Sequence, residues 1–383
     1  MSLLPRIGRS TCAVLLAGLA LVGCGSTTPP PSQSVVVPVA IASSAASPAP
    51  TTSPSASASA EPSASPIPTP TALPSGSAAG IDGVMRPAAL AFRTPLAVLI
   101  DDSVAARPQA GFNAAALVYQ APADGGEDRY MFVFQGDEAR NIGPVRSGRP
   151  FFIRWAAEYK SGLAHYGGDY MTLGQTIPQL DGKFIYDIDA LRGSNAAFHR
   201  VKSRSAPHNA YTNTISLRKV GSQRGMPATQ AAGFDVRAYV DDAPIANRPA
   251  TSTISVAYPR AASGYTYDRA RNLYLRSVGG RAQIDAGDGT RVTARNVVVM
   301  VMRKSIDPNS EPGHARIVLD QIGSGPALVF REGRVWKATW HKDSVGEITR
   351  LIGADGKEIP LVRGRTFFQV VPTGTKVNYK AAS

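Results

Sequence analysis

A long segment rich in Ser, Pro, Ala and Thr most constrains what this chain can fold into. From Gly25 to about Gly80 its only charged residue is Glu61. Such a composition buries too little apolar surface to offset the conformational entropy lost on folding. We therefore predict a disordered tether over residues 25–85, which leaves roughly 300 residues for the folded part.

The first 24 residues are typical of an export signal. Arg6 and Arg9 form a basic start, and an apolar run too short for a transmembrane helix ends at Leu21-Val22-Gly23-Cys24. This tetrapeptide resembles a bacterial lipobox, in which the cysteine thiol carries a lipid. We predict an extracytoplasmic protein attached to the membrane by lipid on Cys24; an ordinary signal peptide is the alternative.

The folded part divides into two blocks of different character. Residues 86–230 interleave strand-like runs, such as Pro95–Ile100 and Tyr130–Phe134, with helical patterns. Residues 231–250 form a connector, and residues 251–383 carry short β-rich runs separated by glycine turn dipeptides. The prediction is an α+β or α/β fold, with a mixed α/β block followed by a β-rich antiparallel block.

Arginines are concentrated just before a predicted helix at residues 151–159. Arg146 and Arg149 flank Ser147, which we expect to cap the helix, whereas the first acidic residue is Glu158 on the expected polar face. Two cations beside the positive end of a helix are poorly placed unless an anion joins them. That anion is either a carboxylate from elsewhere in the chain or a ligand.

Other polar residues of the first block are candidates for the same site. Paired arginines bind phosphate or carboxylate oxygens, a histidine moves protons near neutral pH, and carboxylates hold magnesium. We expect Asp101 and His208 in catalysis and Asp101 with Asp102 at a candidate magnesium site. The expected ligand-binding residues are Arg107, Arg129, Arg146, Ser147, Arg149, His165, Arg204 and Asn209.

Structural roles remain open for several of these candidates. Asp101 and Asp102 would then neutralise the arginines as internal ion pairs, His165 would be a satisfied core histidine, and His208 would fix its loop. The sequence alone does not decide between these roles and ligand binding.

Charge and missing motifs exclude several function classes. The net charge of +13 favours anionic partners, but the chain has no helix-turn-helix, zinc-finger or RNA-binding signature, so nucleic acid is not an expected partner. Nucleophile-elbow, P-loop and His-Glu-x-x-His motifs are also missing from the sequence. Both cysteines, Cys12 and Cys24, lie in the signal region, which excludes a cysteine nucleophile in the folded part.

Several strings resemble the YerB-type family of bacterial lipoproteins, whose domain is of unknown function. The resemblance implies a two-part extracytoplasmic lipoprotein domain and brings no established reaction. In this chain, Gln120 stands where the family pattern leads us to expect glutamate, and Gly125–Arg129 also departs from it. The matching stretches are residues 95–101, 106–111, 142–147, 165–168, 204–209, 296–299 and 333–340.

Three functions remain open at this point. The first is a tethered lipoprotein that binds an anionic, phosphate- or carboxylate-bearing component of the cell envelope. The second is a magnesium-assisted phosphotransferase or hydrolase acting on cell-wall or lipid-linked ligands of that kind. The third is a scaffold whose β-rich block binds a protein partner.

Overall fold

The computed structural model of the chain describes residues 76–231, 237–310 and 315–382. The predicted signal sequence, Cys24 and most of the predicted tether lie outside the described residues. Within these ranges, no helix combines the length and the apolar character that a membrane crossing requires.

Strands alternate with short helices in the first half of the described chain. The α-helices are α1 (Ala88–Ala91), α2 (Pro150–Ala157), α3 (Ile177–Leu180) and α4 (Thr214–Gln223), and a π-helical turn at Met171–Thr176 precedes α3. The strands are β1 (Ser77–Ala78), β2 (Met85–Arg86), β3 (Leu96–Asp101), β4 (Leu117–Pro122), β5 (Asp128–Phe134), β6 (Gly162–His165), β7 (Tyr186–Asp189), β8 (Phe198–Arg200) and β9 (Ala210–Thr212).

The second half is built from strands joined mainly by tight turns. They are β10 (Tyr239–Val240), β11 (Thr253–Val256), β12 (Ser263–Asp268), β13 (Leu273–Val278), β14 (Arg281–Ala282), β15 (Thr293–Ala294), β16 (Asn296–Met302), β17 (Lys304–Ile306), β18 (Ile317–Leu319), β19 (Gly323–Arg331), β20 (Arg334–Lys342), β21 (Arg350–Gly353), β22 (Leu361–Val362), β23 (Thr366–Pro372) and β24 (Val377–Lys380).

One ten-stranded sheet contains strands from both predicted blocks. Its order is β21-β20-β19-β16-β23-β4-β5-β3-β6-β7. Strand β23 lies between β16 and β4 and runs parallel to both, with Thr366 opposite Leu117 in β4. Most other pairs are antiparallel, which confirms the α+β class. The connector predicted at residues 231–250 therefore does not separate two sheets, because strands from both sides of it belong to this one.

The central strands are buried on both faces. Every residue of β3, β4 and β5 is buried, which explains why their sequences read as continuous apolar runs and not as alternating patterns. On one face Leu99 and Met131 join the core that includes α2. On the other, Val98 and Phe132 join the core formed with α4 and a second sheet.

The second sheet has six strands and covers one face of the ten-stranded sheet. Its path is β14-β13-β12-β11-β24, and β15 pairs with β13. In β12 every second residue is buried, including Tyr265 and Tyr267, as expected for a strand with one face in the core. Their rings pack in the same core as Phe132 of the large sheet.

Helix α2 differs from the predicted amphipathic helix in one respect. Glu158, expected on a solvent-facing side, is 1% exposed. Its carboxylate accepts hydrogen bonds from Lys342 Nζ at 2.7 Å and Thr349 Oγ1 at 2.6 Å. The prediction was wrong because strands of the second half cover this side of the helix and supply polar partners.

The folded part also begins earlier than predicted. Strands β1 and β2 form a small hairpin, so residues 77–86 are not part of a tether. Ile81 is fully buried, and its carbonyl accepts a hydrogen bond from the Tyr239 hydroxyl at 2.6 Å. Asp82 and Arg86 form an ion pair at 2.8 Å that closes the hairpin.

Candidate functional site

Strand pairing brings the predicted residues to one end of the large sheet. Asp101 of β3 stands directly opposite Arg129 of β5, so both side chains project from the α2 face. The segment carrying Arg146 runs beside them, because the Asp101 amide donates to Pro144 and the Arg146 amide donates to Leu99. We call Arg129, Arg146 and Arg149 the arginine cluster.

Arg129 is a buried cation that has no carboxylate partner in the part of the chain that the structure describes. It is 5% exposed, and no carboxylate of the described residues lies within the 4.0 Å of an ion pair. Its Nη1 donates to the Ser147 carbonyl at 2.8 Å, while its buried Nε has no hydrogen-bond partner among the described residues. Burial, reinforced by Arg149 and Arg146, lowers the pKa of Arg129 to about 9.

Arg146 is the most exposed member of the arginine cluster. Its side chain is 29% exposed, and its Nε lies 3.2 Å from Asp101 Oδ2, an ion-pair contact without hydrogen-bond geometry. Burial alone would raise the pKa of Asp101. The Ser103 amide, Arg146 and His208 outweigh burial, so this pKa is lowered and the carboxylate stays ionised.

His208 shares the Asp101 carboxylate with Arg146. Its Nδ1 lies 2.7 Å from Asp101 Oδ2 and 3.1 Å from Ser103 Oγ. Because both contacts involve the same ring nitrogen, the three residues do not form a nucleophilic triad, which uses both nitrogens. With Nδ1–H assigned toward the carboxylate, Nε2 remains an acceptor.

Arg149 is neutralised from within the protein. Its Nε donates to Asp124 Oδ2 at 2.6 Å and lies 3.7 Å from Asp169 Oδ2. Arg316 reaches the same Asp124 oxygen at 3.2 Å. Burial would raise the pKa of Asp124, but Arg149 and its other donors lower it. The proposed anion for this arginine is therefore supplied by the chain.

Ser147 does not cap α2, as the sequence led us to expect. Arg149 occupies the N-cap position, with no side-chain cap and no acidic residue in the first turn. The hydroxyl of Ser147 instead accepts from Arg149 Nη1 at 3.1 Å, and lies 3.4 Å from Arg129 Nη1. Ser147 therefore lies between the guanidinium groups of Arg129 and Arg149. No side-chain cap offsets the positive end of the α2 dipole.

Asp102 points away from the arginine cluster. Its Oδ1 accepts from Arg107 Nε at 3.1 Å and Gln109 Nε2 at 3.0 Å, and its Oδ2 accepts from Gln120 at 3.2 Å. Asp101 and Asp102 thus have separate sets of donors. Among the described residues no three His, Cys, Asp or Glu side chains come together as metal ligands, and the magnesium site expected at this pair stays a prediction.

Three other predicted ligand-binding residues make contacts within the protein. His165 is fully buried between Asp187 Oδ1 at 2.7 Å and the Gly167 carbonyl at 2.8 Å. Arg204 donates to the Pro108 carbonyl at 2.8 Å, and Asn209 accepts from Arg200. For His165 this matches the structural role that the sequence left open, whereas Arg204 and Asn209 were expected only as ligand-binding residues.

Together with Arg316, the arginine cluster carries more positive charge than the carboxylates around it neutralise. Arg129, Arg146, Arg149 and Arg316 face three carboxylates, Asp101, Asp124 and Asp169. Sequence reasoning missed Asp124, Asp169 and Arg316. Asp124 precedes a Gly-Gly pair, Asp169 follows another, and Arg316 lies far along the chain, so no local pattern connects them.

Comparisons with known proteins identify relatives over most of the folded part. The N-terminal domain of "Protein of unknown function (DUF3048)" matches residues 83–227, and its C-terminal domain matches residues 254–368. "Putative lipoprotein YerB" of Bacillus subtilis (strain 168) is 29% identical over 287 residues, covering 73% of this chain and 82% of that protein.

A solved structure shows the same fold. The crystal structure of the YerB protein from Bacillus subtilis matches with a TM-score of 0.68 and 25% sequence identity. The match covers 78% of this chain and 99% of that one. The family resemblance carried by the sequence strings is thereby confirmed.

Proposed function

Because this chain belongs to the DUF3048 family of YerB-like proteins of unknown function, we propose its activity from its own residues. The arginine cluster binds an anionic component of the cell envelope that bears phosphate or carboxylate groups. The observation that carries this proposal is Arg129, a buried guanidinium without a carboxylate partner among the described residues. An incoming anion would supply the missing charge.

The order of the arginines suggests how the anion binds. Arg146, the exposed member, makes the first contact, and the buried positive charge of Arg129 adds a favourable field. Arg149 is held by Asp124 and positions Ser147. Planar guanidinium groups suit phosphate and carboxylate alike, so the site distinguishes anions from neutral ligands more sharply than one oxyanion from another.

Removal of the Arg146 guanidinium tests this proposal. Arg146→Ala should weaken binding of inorganic phosphate and pyrophosphate about ten- to hundredfold in calorimetric titrations, because charge-assisted hydrogen bonds are lost. Arg140→Ala removes the same charge from an exposed position outside the cluster and serves as the matched control. Equal binding by both variants, or no binding by the wild-type protein, would refute the proposal.

Membrane attachment forms the second part of the proposal. Cys24 ends a lipobox-like tetrapeptide, and a relative is named as a lipoprotein. Lipid on Cys24 would hold the folded part at the outer surface of the membrane, where anionic headgroups and wall polymers are available. Cys24→Ser should move the protein from the membrane fraction to the soluble fraction; retention in the membrane would contradict this anchor.

A hydrolase or transferase acting on the same ligands is a second candidate, favoured by the His208–Asp101 contact. The carboxylate holds Nδ1, which leaves Nε2 available to accept a proton beside the arginine cluster. Release of phosphate from pyrophosphate, with and without magnesium, tests this activity. His208→Asn should abolish turnover while pyrophosphate still binds; no turnover by the wild-type protein would exclude the enzyme.

A further inference from the structure

Three parallel strands of the large sheet end at a surface where aliphatic side chains are exposed. β6 runs parallel to both β3 and β7, so the carboxyl ends of the three strands lie at the same end of the sheet. Val104 follows β3 and is 73% exposed, and Leu191 follows β7 and is 64% exposed. Single exposed aliphatic residues are common on protein surfaces. These two become informative through the charges around them.

Two exposed cations, Arg200 and Lys202, lie at this end of the sheet. The loop between β8 and β9 packs on the segment that follows β3, because Arg204 Nη2 donates to the Pro108 carbonyl at 2.8 Å. The guanidinium carbon of Arg200 lies 4.7 Å from the centre of the Tyr166 ring, and Tyr166 directly follows β6. The cations of this loop are therefore neighbours of the three strand ends.

The carboxylates that end or follow β3 and β7 are buried, whereas the cations are not. Asp101, Asp102 and Asp189 are 3%, 1% and 0% exposed. Arg192 adds a third exposed cation, and the sequence has no acidic residue from 190 to 234. Solvent at this end thus meets positive charge beside aliphatic side chains. We call the following residues the strand-end face: Val104, Leu191, Arg192, Arg200 and Lys202.

This combination matches the surface of an anionic bilayer. Exposed Lys and Arg side chains are attracted to headgroup phosphates, and exposed aliphatic side chains gain by entering the boundary between headgroups and acyl chains. A water-soluble polyanion would contact the cations and leave Val104 and Leu191 without an apolar partner. We propose that the strand-end face docks onto a membrane containing anionic phospholipids. The proposal rests on the membrane attachment proposed above, and not on anion binding by the arginine cluster.

Docking would bring the arginine cluster to the membrane surface. The Tyr166 amide donates to the Arg146 carbonyl at 3.0 Å, so the exposed member of the cluster lies beside the strand-end face. The face therefore sets the orientation in which the cluster would meet headgroups.

A polarity-sensitive fluorophore at position 191 tests docking in the full-length chain. Cys12→Ser and Cys24→Ser leave Leu191→Cys as the single thiol for labelling. Vesicles of phosphatidylglycerol should shift the emission to shorter wavelength and raise its intensity severalfold, because the label enters a less polar layer. Ile215→Cys is the matched control, since Ile215 is 66% exposed and lies at the start of α4, at the other end of the sheet.

Two substitutions in the labelled chain test the charge and the apolar contact. Lys202→Glu should raise the lipid concentration at half-maximal response about tenfold, because attraction to the headgroups becomes repulsion. Lys183→Glu makes the same charge change at an exposed position in the turn before β7, and should leave the response unchanged. Val104→Ser, at a position too exposed to put folding at risk, should weaken the response severalfold.

Several results would overturn the docking proposal. They are equal responses at positions 191 and 215, an equal response to neutral phosphatidylcholine vesicles, and no response at position 191. An equal response to soluble polyphosphate would also overturn it, because a polyanion and not a bilayer would then cover the face. Arg146→Ala leaves the strand-end face intact, so loss of phosphate binding and loss of the vesicle response are separate failures.

The reverse charge test completes the comparison. Equal effects of Lys202→Glu and Lys183→Glu would mean that net charge alone attracts the protein, and would overturn a specific face. A tenfold difference between them supports it.

Discussion

Arg129 combines burial and positive charge with the lack of a carboxylate partner within the described ranges. A buried cation without a carboxylate is unfavourable for folding, which the lowered pKa of this arginine reflects. Residues that bind ligands often retain such local costs because the ligand relieves them. Removal of its charge should therefore weaken anion binding without lowering the free energy of unfolding.

Arg129→Met keeps the length of the side chain and removes its charge. We expect the free energy of unfolding to stay within about 1 kcal/mol of wild type or to rise, because a buried charge is lost along with the hydrogen bonds to Ser147. Sulfate, whose charge is constant at neutral pH, should raise the melting temperature of wild type and not of the variant. A large loss of stability in the variant would assign Arg129 to scaffolding.

Asp128 predicts how stability depends on pH. Burial, and then the neighbouring Asp102, raise its pKa to about 8, with Arg107 opposing and Glu127 adding to the rise. The folded protein thus keeps a proton that the unfolded chain loses near pH 4, so stability decreases as the pH rises from about 4 to about 8. Asp128→Asn should remove this decrease, which is on the order of a few kcal/mol.

Urea unfolding at pH 5 and pH 8 measures the effect. The variant should gain stability over wild type at pH 8 and little at pH 5. Burial would lower the pKa of His165, but Asp187 raises it. His165 therefore also makes the free energy of unfolding fall with rising pH, and because it does so in both proteins, its contribution cancels in the comparison. Parallel pH profiles for the two proteins would contradict a protonated Asp128.

Among the elements, α2 shows how the two halves of the chain are joined. Its Glu158 bonds to Lys342 of β20 at 2.7 Å, and Arg237 Nη2 lies 3.8 Å from the same carboxylate. All three side chains are almost completely buried. Removing one partner of such a pair leaves an uncompensated charge in the interior.

A double-mutant cycle separates the pair from its surroundings. Glu158→Leu should lower the free energy of unfolding by about 3–5 kcal/mol, because Lys342 then lacks its carboxylate. Glu158→Leu with Lys342→Met should recover part of this loss, which urea titrations of the four proteins would reveal. Additive effects would mean that the two charges do not interact.

The elements also show where sequence patterns are sufficient. The apolar runs predicted β3 and β5 within two residues at each end, because continuous burial leaves a continuous apolar run. The helix after the arginines was predicted from its apolar spacing and is observed one or two residues shorter at its end. The prediction that Glu158 is exposed was wrong, because its burial depends on Lys342, a partner distant in sequence that local periodicity does not reveal.

At the scale of the molecule, the sequence does not predict the shared sheet, because strand order is not encoded locally. β23 lies beside β4, yet nothing near either strand predicts that pairing. The arginine cluster shows the same limit. Arg146 and Asp101 were predicted for one site, but whether each arginine is neutralised depended on Asp124 and Arg316, which meet only through the fold.

The shared sheet predicts that neither half folds alone. A fragment of residues 76–250 lacks β23 and β16 and so exposes the edge of β4, all of whose residues are buried in the whole protein. We expect poor dispersion in its amide NMR spectrum, and a folded complex when residues 251–382 are supplied with it. A well-dispersed spectrum of the isolated fragment would show that the first half is an independent domain.

The position of β23 after both of its neighbours has a consequence for folding. β4 and β16 precede β23 in the chain, so two strand edges stay open until the segment that closes the gap between them is available for pairing. Chains truncated before Thr366 would keep this sheet unclosed. Such chains are natural substrates for chaperones and proteases.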